Sequence, residues 1–516
     1  MPVSMFAAID VGSYELAMKI FEFSRKNGMR EIDHVRHRID LGTDTYATGK
    51  VSYARMDELC RVLREFSDIM KSYKVEHYRV YGTSAIRETE NTNIILDQIK
   101  IRTGMKIEIL SNSEQRFLDY KSIASKGEFF NKIIDKGTAI VDIGGGSIQL
   151  SLFDKDSLIT TQNLRLGILR IREKLVKIEP VRYQIDGLVE EMALSQLMTF
   201  KKLFLKDRDI KNLIIVDDYV SVVLQQKGSM TKEKGFVTAE DYCKFYDLLK
   251  TKNVEEIAIY LGIPAENAHL LYISAILIKQ MLRIMEIELI WAPGVTLCDG
   301  IAYEYGERNR LITHPHNFEQ DIIACAKNIS KRFMGSKKRG ETLEQISKTI
   351  FDSMKKAHGL GKRERLFLQL AAILHDCGKY ITLSTVASSS YNIIMATEII
   401  GLSHQEREIV ANIVKYNHIE FEYYEEVSKK SSMDKQSYLT IAKLTAILRV
   451  ANALDKSHKQ KFKNFKTTLK DNQLVILVET NDDITLERGL FQEKADFFEE
   501  VYSIRPVIKQ KKINQI

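Results

Sequence analysis

The 516-residue sequence predicts two similar α/β lobes facing one another, then an all-α domain and a small α+β C-terminal piece. Three observations carry this. An apolar strand, an Asp-x-Gly turn and a second strand occur in series twice, over residues 6–20 and 139–153, and internal repetition of this kind points to paired substructures. Around both hairpins, short apolar strands alternate with stretches of helical periodicity. From about His314 the pattern becomes almost entirely helical, until strand-like residues return after Lys470.

Taken in order, the first hairpin is the run Phe6-Ala-Ala-Ile, then Asp10-Val-Gly12-Ser13, with Leu16, Met18 and Ile20 alternating as a strand. Residues 56–71 set Leu59, Val62, Leu63, Phe66, Ile69 and Met70 at helical spacing. A strand from Tyr78 runs into Thr83-Ser84, either of which can cap the following helix. A helix N-terminus attracts anions, and Arg87 adds a bidentate phosphate ligand; the plainer alternative is a capped helix with a surface arginine. Strand 106–110 leads through Ser111-Asn-Ser113 into a helix that begins Glu114-Gln115-Arg116.

The second hairpin is the fullest. Ala139-Ile-Val-Asp142-Ile leads into Gly144, Gly145, Gly146 and Ser147, after which Ile148, Leu150 and Leu152 share one strand face. Glycines let backbone amides crowd into a nest for phosphate oxygens, and an aspartate beside such a nest can hold Mg²⁺. Two such hairpins facing each other would place a metal and phosphates between Asp10 and Asp142. A further strand at 213–216 ends in Asp217-Asp218, residues 291–295 turn the chain, and Cys298-Asp-Gly300 opens a last helix. The boundaries read as 1–125 and 126–306 for the lobes, 307–470 for the helical domain and 471–516 for the C-terminal piece.

Composition is that of an ordinary globular chain, 44% hydrophobic and 28% charged. No run approaches a membrane span and five scattered cysteines form no CxxC pair, so a cytoplasmic protein with reduced thiols, no membrane and no nucleic-acid partner is expected. The net charge of +7 suits a polyanionic ligand but is also ordinary solvated surface.

The motifs Asp10-Val-Gly-Ser, Thr83-Ser-Ala-Ile-Arg, Val141-Asp-Ile-Gly-Gly-Gly-Ser and Leu166-Gly-x-x-Arg170 recur in a known order. They continue through His358-Gly-Leu-Gly, Leu374-His-Asp, 448–458 and 494–501. Together they resemble the exopolyphosphatase / guanosine pentaphosphate phosphohydrolase (Ppx/GppA) family over nearly the whole chain. The resemblance implies lobes of the actin/hexokinase/Hsp70-like (ribonuclease H-like) type and an HD-like helical domain. It also implies Mg²⁺-dependent removal of terminal phosphate from inorganic polyphosphate or pppGpp; a homodimer stays open.

Against that family the chain departs at chemically important places. The family's Ser-Gly-x-Glu-Glu-Ala is Ser111-Asn-Ser-Glu114-Gln115-Arg116, which puts Gln115 where the resemblance implies a general base. Its Gly-Gly-Gly-Ser-Thr-Glu ends in Gln149. An amide can hydrogen-bond a water but cannot take its proton at neutral pH. Asp218-Tyr219 stands for a Gly-Thr phosphate loop, Cys298-Asp-Gly for Arg-Glu-Gly, and Tyr14-Glu15 for Asn-Ser. Arg339, Asn452 and 387–390 depart likewise from the metal ligands of HD domains. Two expectations follow. One is a phosphohydrolase with Mg²⁺ on Asp10 and Asp142, and phosphates on Gly12, Ser13, Thr83, Ser84, Arg87, Gly144, Gly145, Gly146 and Ser147. Its attacking water lies near Gln115, Asp142 and Gln149, with Glu114 or Glu15 as a substitute base. The other is a disarmed protein that binds polyphosphate or a nucleotide without turnover.

Overall fold

The computed structural model describes residues 4–24, 28–155, 157–179, 181–217, 219–226, 235–312 and 316–512, so Asp218 and His314 lie outside the described residues. The chain divides into two units, Met1–Asp321 and Ile322–Ile516.

In the first unit, β1 (Ser4–Val11), β2 (Glu15–Ser24), β3 (Gly28–Arg38), β4 (His77–Gly82) and β5 (Glu108–Ile109) form a sheet in the order β3-β2-β1-β4-β5. The antiparallel meander β1–β3 is extended by parallel pairing of β1 to β4 and β4 to β5. A second sheet repeats the plan with β6 (Thr138–Ile143), β7 (Ile148–Asp154), β8 (Ser157–Leu164), β9 (Asn212–Val216), β10 (Phe236–Thr238) and β11 (Leu289–Trp291). Its order is β10-β11-β9-β6-β7-β8, so β8-β7-β6-β9-β11 mirrors β3-β2-β1-β4-β5, and β10 is an antiparallel addition. This doubled topology is the actin/hexokinase/Hsp70-like arrangement expected from the motifs.

Each lobe buries its central strand on both faces, which is why β1 and β6 read as continuous apolar runs rather than alternating ones. Ala7, Ile9 and Val11 pack with Leu59, Val62, Leu63 and Phe66 of the helix Tyr53–Ser72. Phe6 and Ala8 pack on the opposite face with Leu297, Ile301 and Ala302 of the helix Leu297–Arg308. That last helix, read from the sequence as the end of the second lobe, therefore covers the first sheet. The helix Ala265–Met285 is long and apolar enough to cross a membrane, but 83% of its apolar stretch is buried as the core of the second lobe.

Tyr14 ties the lobes together. It sits in the β1–β2 turn, yet its ring is buried in the second lobe's apolar cluster, and its hydroxyl donates to Asn267 Oδ1 at 3.4 Å. Three arginines add polar ties: Arg38 to Glu266, Arg170 to Glu88 at 2.7 Å, and Arg172 to Asp40 at 3.2 Å.

The second unit is helical, with the buried helix Lys435–Leu454 among its members. It ends in a three-stranded sheet, β12 (Phe465–Lys470), β13 (Gln473–Glu479) and β14 (Arg505–Lys511), whose parallel β13–β14 pair is joined through the helix Thr485–Tyr502. Arg339 is buried and joins His375 and Asn452, two positions singled out in the sequence, with the Asp455 backbone. Its Nε donates to His375 Nε2 at 3.1 Å, one terminal nitrogen to the Asp455 carbonyl at 3.1 Å and the other to Asn452 Oδ1. A guanidinium thus stands between the His375 and Asn452 side chains and the Asp455 carbonyl.

Candidate active site

The two hairpin turns close in the same way. Gly12 N–H donates to the Glu15 carbonyl at 3.1 Å, and Gly144 N–H to the Ser147 carbonyl at 3.0 Å. Asp10 and Asp142 each lie two residues before that glycine, opposite Ala17 and Gln149 in their ladders. The equivalence read from sequence is therefore structural, and both carboxylates line one cleft between the lobes.

Gly12, Ser13, Thr83, Ser84, Gly144, Gly145 and Gln115 line the same cleft. Gln115 comes from the helix Asn112–Ala124, and its Nε2 donates to Asp142 Oδ2 at 3.4 Å. Its Oε1 is buried with no hydrogen-bond partner among the described residues. The Ser13 and Ser84 hydroxyls are 2.9 Å apart, and Tyr46 Oη is 3.0 Å from each, so the three satisfy one another. The glycine loop packs directly on this trio: a Cβ added at Gly145 would lie 2.9 Å from that of Ser13.

Other expected residues are engaged elsewhere. Glu114 closes a capping box with Ser111, accepting from its amide at 3.0 Å and its hydroxyl at 2.7 Å, so this carboxylate serves the helix start. Arg87 donates to the Leu110 carbonyl and to Asn112 Oδ1, both at 2.6 Å, and is absent from the cleft wall. Thr83 precedes its helix without a side-chain cap bond. Gln149 is buried beside the cleft, where its Oε1 accepts from Arg116 Nε at 3.1 Å. Gly146 packs against Tyr46 and Ser84, and Ser147 is buried; neither lines the cleft.

Among the described residues the cleft wall carries five carboxylates, Asp10, Glu15, Asp119, Asp142 and Asp217, and one cation, Arg36. Arg36 sits 3.5 Å from Glu15. Asp217 accepts from the backbone N–H of Val220 at 3.1 Å and of Ser221 at 2.6 Å, and from Ser274 Oγ at 2.8 Å. A carboxylate of the chain thereby fills the donors at the start of the helix Val220–Gln226. Cys298 lines the wall where the family resemblance implied an arginine; burial, with Asp10 nearby, holds its thiol well above the usual range, so it stays neutral. Asp299 turns away from the cleft to the buried Lys19 at 2.8 Å.

Sequence reading missed Asp119, Arg36 and Asp217 as cleft residues. Asp119 had a readable signal: it lies four residues after Gln115, one helical turn along the same face.

The Ppx/GppA phosphatase family matches residues 20–308, and domain III of that family matches residues 323–495. The chain is 20% identical over 479 residues to a guanosine-5'-triphosphate,3'-diphosphate pyrophosphatase of Vibrio atlanticus, covering 92% of this chain and 91% of that one. It is 23% identical over 177 residues to exopolyphosphatase 1 of Mycobacterium bovis, which covers 33% of this chain and 49% of that one. Among solved structures, the Aquifex aeolicus Ppx/GppA family member superposes with a TM-score of 0.50 at 18% identity, over 61% of this chain and all of that one. An exopolyphosphatase of Cytophaga hutchinsonii gives 0.50 at 16% identity, over 60% of this chain and all of that one.

Proposed function

Because the chain belongs to the Ppx/GppA phosphatase family, we propose that it hydrolyses the terminal phosphate from inorganic polyphosphate or pppGpp with Mg²⁺. The observation that carries this reading is the symmetric pair Asp10 and Asp142, facing one cleft with the Gln115 amide against Asp142. Two carboxylates suit Mg²⁺, a hard cation that keeps several waters and takes the rest of its ligands from substrate phosphates. When bound there, Mg²⁺ supplies positive charge against the phosphate oxygens.

The chain's own residues have separate parts. The amides of the Gly12 and Gly144–Gly145 turns offer donors to phosphate oxygens. Gln115 Oε1 offers an acceptor that orients a water, as a neutral amide can without taking its proton. Phosphate binding must also exchange the 2.9–3.0 Å bonds among Ser13, Ser84 and Tyr46 for bonds to the ligand. The test is phosphate release from long-chain polyphosphate and from pppGpp, with Mg²⁺ and with EDTA. Mg²⁺-dependent release supports the reading, and none from either substrate sinks it.

A second reading, binding without turnover, is favoured by the amides at 115 and 149 and by the single arginine on the cleft wall among the described residues. It expects polyphosphate or a nucleotide to raise the melting temperature with no phosphate released.

A further inference from the structure

We propose that the Tyr46 hydroxyl is an internal competitor for ligand phosphate: it engages the Ser13 and Ser84 hydroxyls from behind and so sets how tightly the cleft holds a phosphate group. The inference rests on the reading that this cleft takes phosphate, which turnover and binding without turnover share. Ser13 and Ser84 line the cleft, whereas Tyr46 is absent from the cleft wall. Its effect on a ligand therefore passes through the two serines, which makes it a positioning residue.

The protons of the trio fix the direction of the effect. Three hydroxyls carry three protons, and three contacts of 2.9–3.0 Å link them. A closed ring in which each hydroxyl donates once and accepts once uses every proton. An ionised phosphate oxygen only accepts, so a ligand bound at both serines takes two of those protons. One internal bond then survives, donated by Tyr46 to a serine oxygen, and two are lost. Without the Tyr46 hydroxyl the free protein has one such bond, between Ser13 and Ser84, and the ligand displaces only that one. Removing this hydroxyl thus favours the ligand by one net hydrogen bond.

The tyrosine is held where it competes. Its ring packs against the second lobe's apolar cluster, and the Arg170 guanidinium lies 4.5 Å from the ring centroid. Arg170 is itself fixed, donating from Nε to the Gly146 carbonyl at 3.0 Å and pairing with Glu88 at 2.7 Å. The helix Leu41–Thr48, which carries Tyr46, is tied to both serine segments. Gly42 N–H donates to the Ser13 carbonyl at 2.6 Å, and Thr45 Oγ1 to the Ala85 carbonyl at 3.2 Å. Gly146 leaves the necessary room, since a side chain there would run into the Tyr46 hydroxyl. Burial raises the phenol above its ordinary value of 10.0, against the pull of the Ser13 and Ser84 bonds, so the hydroxyl keeps its proton at neutral pH.

The experiment follows the melting temperature of the full chain against inorganic phosphate with MgCl2 at constant ionic strength. Each variant's own rise yields an affinity whether or not substrate is turned over. The proteins are the wild type, Tyr46→Phe, Tyr46→Leu, the double variant Ser13→Ala/Ser84→Ala, and that double variant with Tyr46→Phe added. Tyr46→Phe keeps the ring and is expected to bind phosphate about two- to tenfold more tightly, the worth of one hydrogen bond. Tyr46→Leu, which also lacks the hydroxyl, is expected to shift the same way. In the Ser13→Ala/Ser84→Ala background, Tyr46→Phe is expected to bring no gain. A gain there, or unchanged or weaker binding in both single Tyr46 variants, overturns the inference. Phosphate that raises the melting temperature of neither the wild type nor Tyr46→Phe overturns it together with the phosphate reading of the cleft. A gain in Tyr46→Phe with no phosphate released from polyphosphate or pppGpp supports the inference and sinks the hydrolase reading alone.

Discussion

Replacing Gln115 by glutamate would turn an amide–carboxylate contact into two facing carboxylates. At the 3.4 Å separation of Gln115 Nε2 and Asp142 Oδ2, two unit charges repel by about 5 kcal/mol at an effective dielectric constant of 20. The lost hydrogen bond adds about 1 kcal/mol. Side chains rotate apart and recover part of this, so a drop of about 2–4 kcal/mol in stability at neutral pH without metal is expected. The pair raises one folded-state carboxyl pKa above its unfolded value. The penalty is therefore absent below the ordinary glutamate pKa of about 4.3, grows as pH rises through the raised value, and is full above it. A divalent cation between the charges reverses the sign of the interaction. The assay is melting temperature from pH 4 to pH 8, with and without MgCl2. Gln115→Glu should match the wild type at acid pH, fall below it at neutral pH, and gain more from MgCl2 than the wild type does. Curves that superimpose with those of the wild type under all conditions would refute the placement of Gln115 against Asp142.

Three further outcomes are expected. Gly300→Ala should cost about 1–3 kcal/mol, because its Cβ meets the Leu118 backbone carbonyl, and should raise hydrogen exchange in the helix Asn112–Ala124. Arg339→Ala removes a buried charge bonded to His375, Asn452 and the Asp455 carbonyl; a loss of about 3–5 kcal/mol should appear as earlier denaturant unfolding of the unit Ile322–Ile516. Burial, with Arg339 adding to it against the pull of Asp376, pushes His375 down to about 4. Its contribution is full above the unfolded value of about 6.5 and is lost as pH falls toward 4. The melting temperature should therefore fall between pH 7 and pH 5 in the wild type, and less steeply in His375→Gln.

The paired hairpins were legible because their signal is local: apolar runs, an aspartate and a glycine at fixed offsets, all within one turn. Gln115 and Asp142 were legible for the same reason, and the structure brings them together. Arg87 was not, because the carbonyl and amide that claim it, Leu110 and Asn112, are more than 20 residues away in sequence. Glu114 could have been set aside from sequence, since Ser111-x-x-Glu114 is the pattern of a capping box. The acids of the cleft divide similarly. Asp119 was reachable through helical periodicity, whereas the claim of Val220, Ser221 and Ser274 on Asp217 depends on how β9 meets two helices. In the helical unit the separate departures at Arg339 and Asn452 proved to be one contact, which no single position reveals.

Tyr14 belongs to one lobe by chain position and to the other by burial. Drawing the lobes apart at that point exposes an aromatic ring, at a cost of about 1.5–3 kcal/mol, and gives up the bond to Asn267, about 1 kcal/mol more. These two terms together limit the separated form to about 0.1–1% of molecules. For any ligand too large to enter otherwise, the observed affinity is weaker than the intrinsic one by that fraction, about a hundredfold to a thousandfold. A smaller residue at this one position would make the protein hold such a ligand more tightly without touching it.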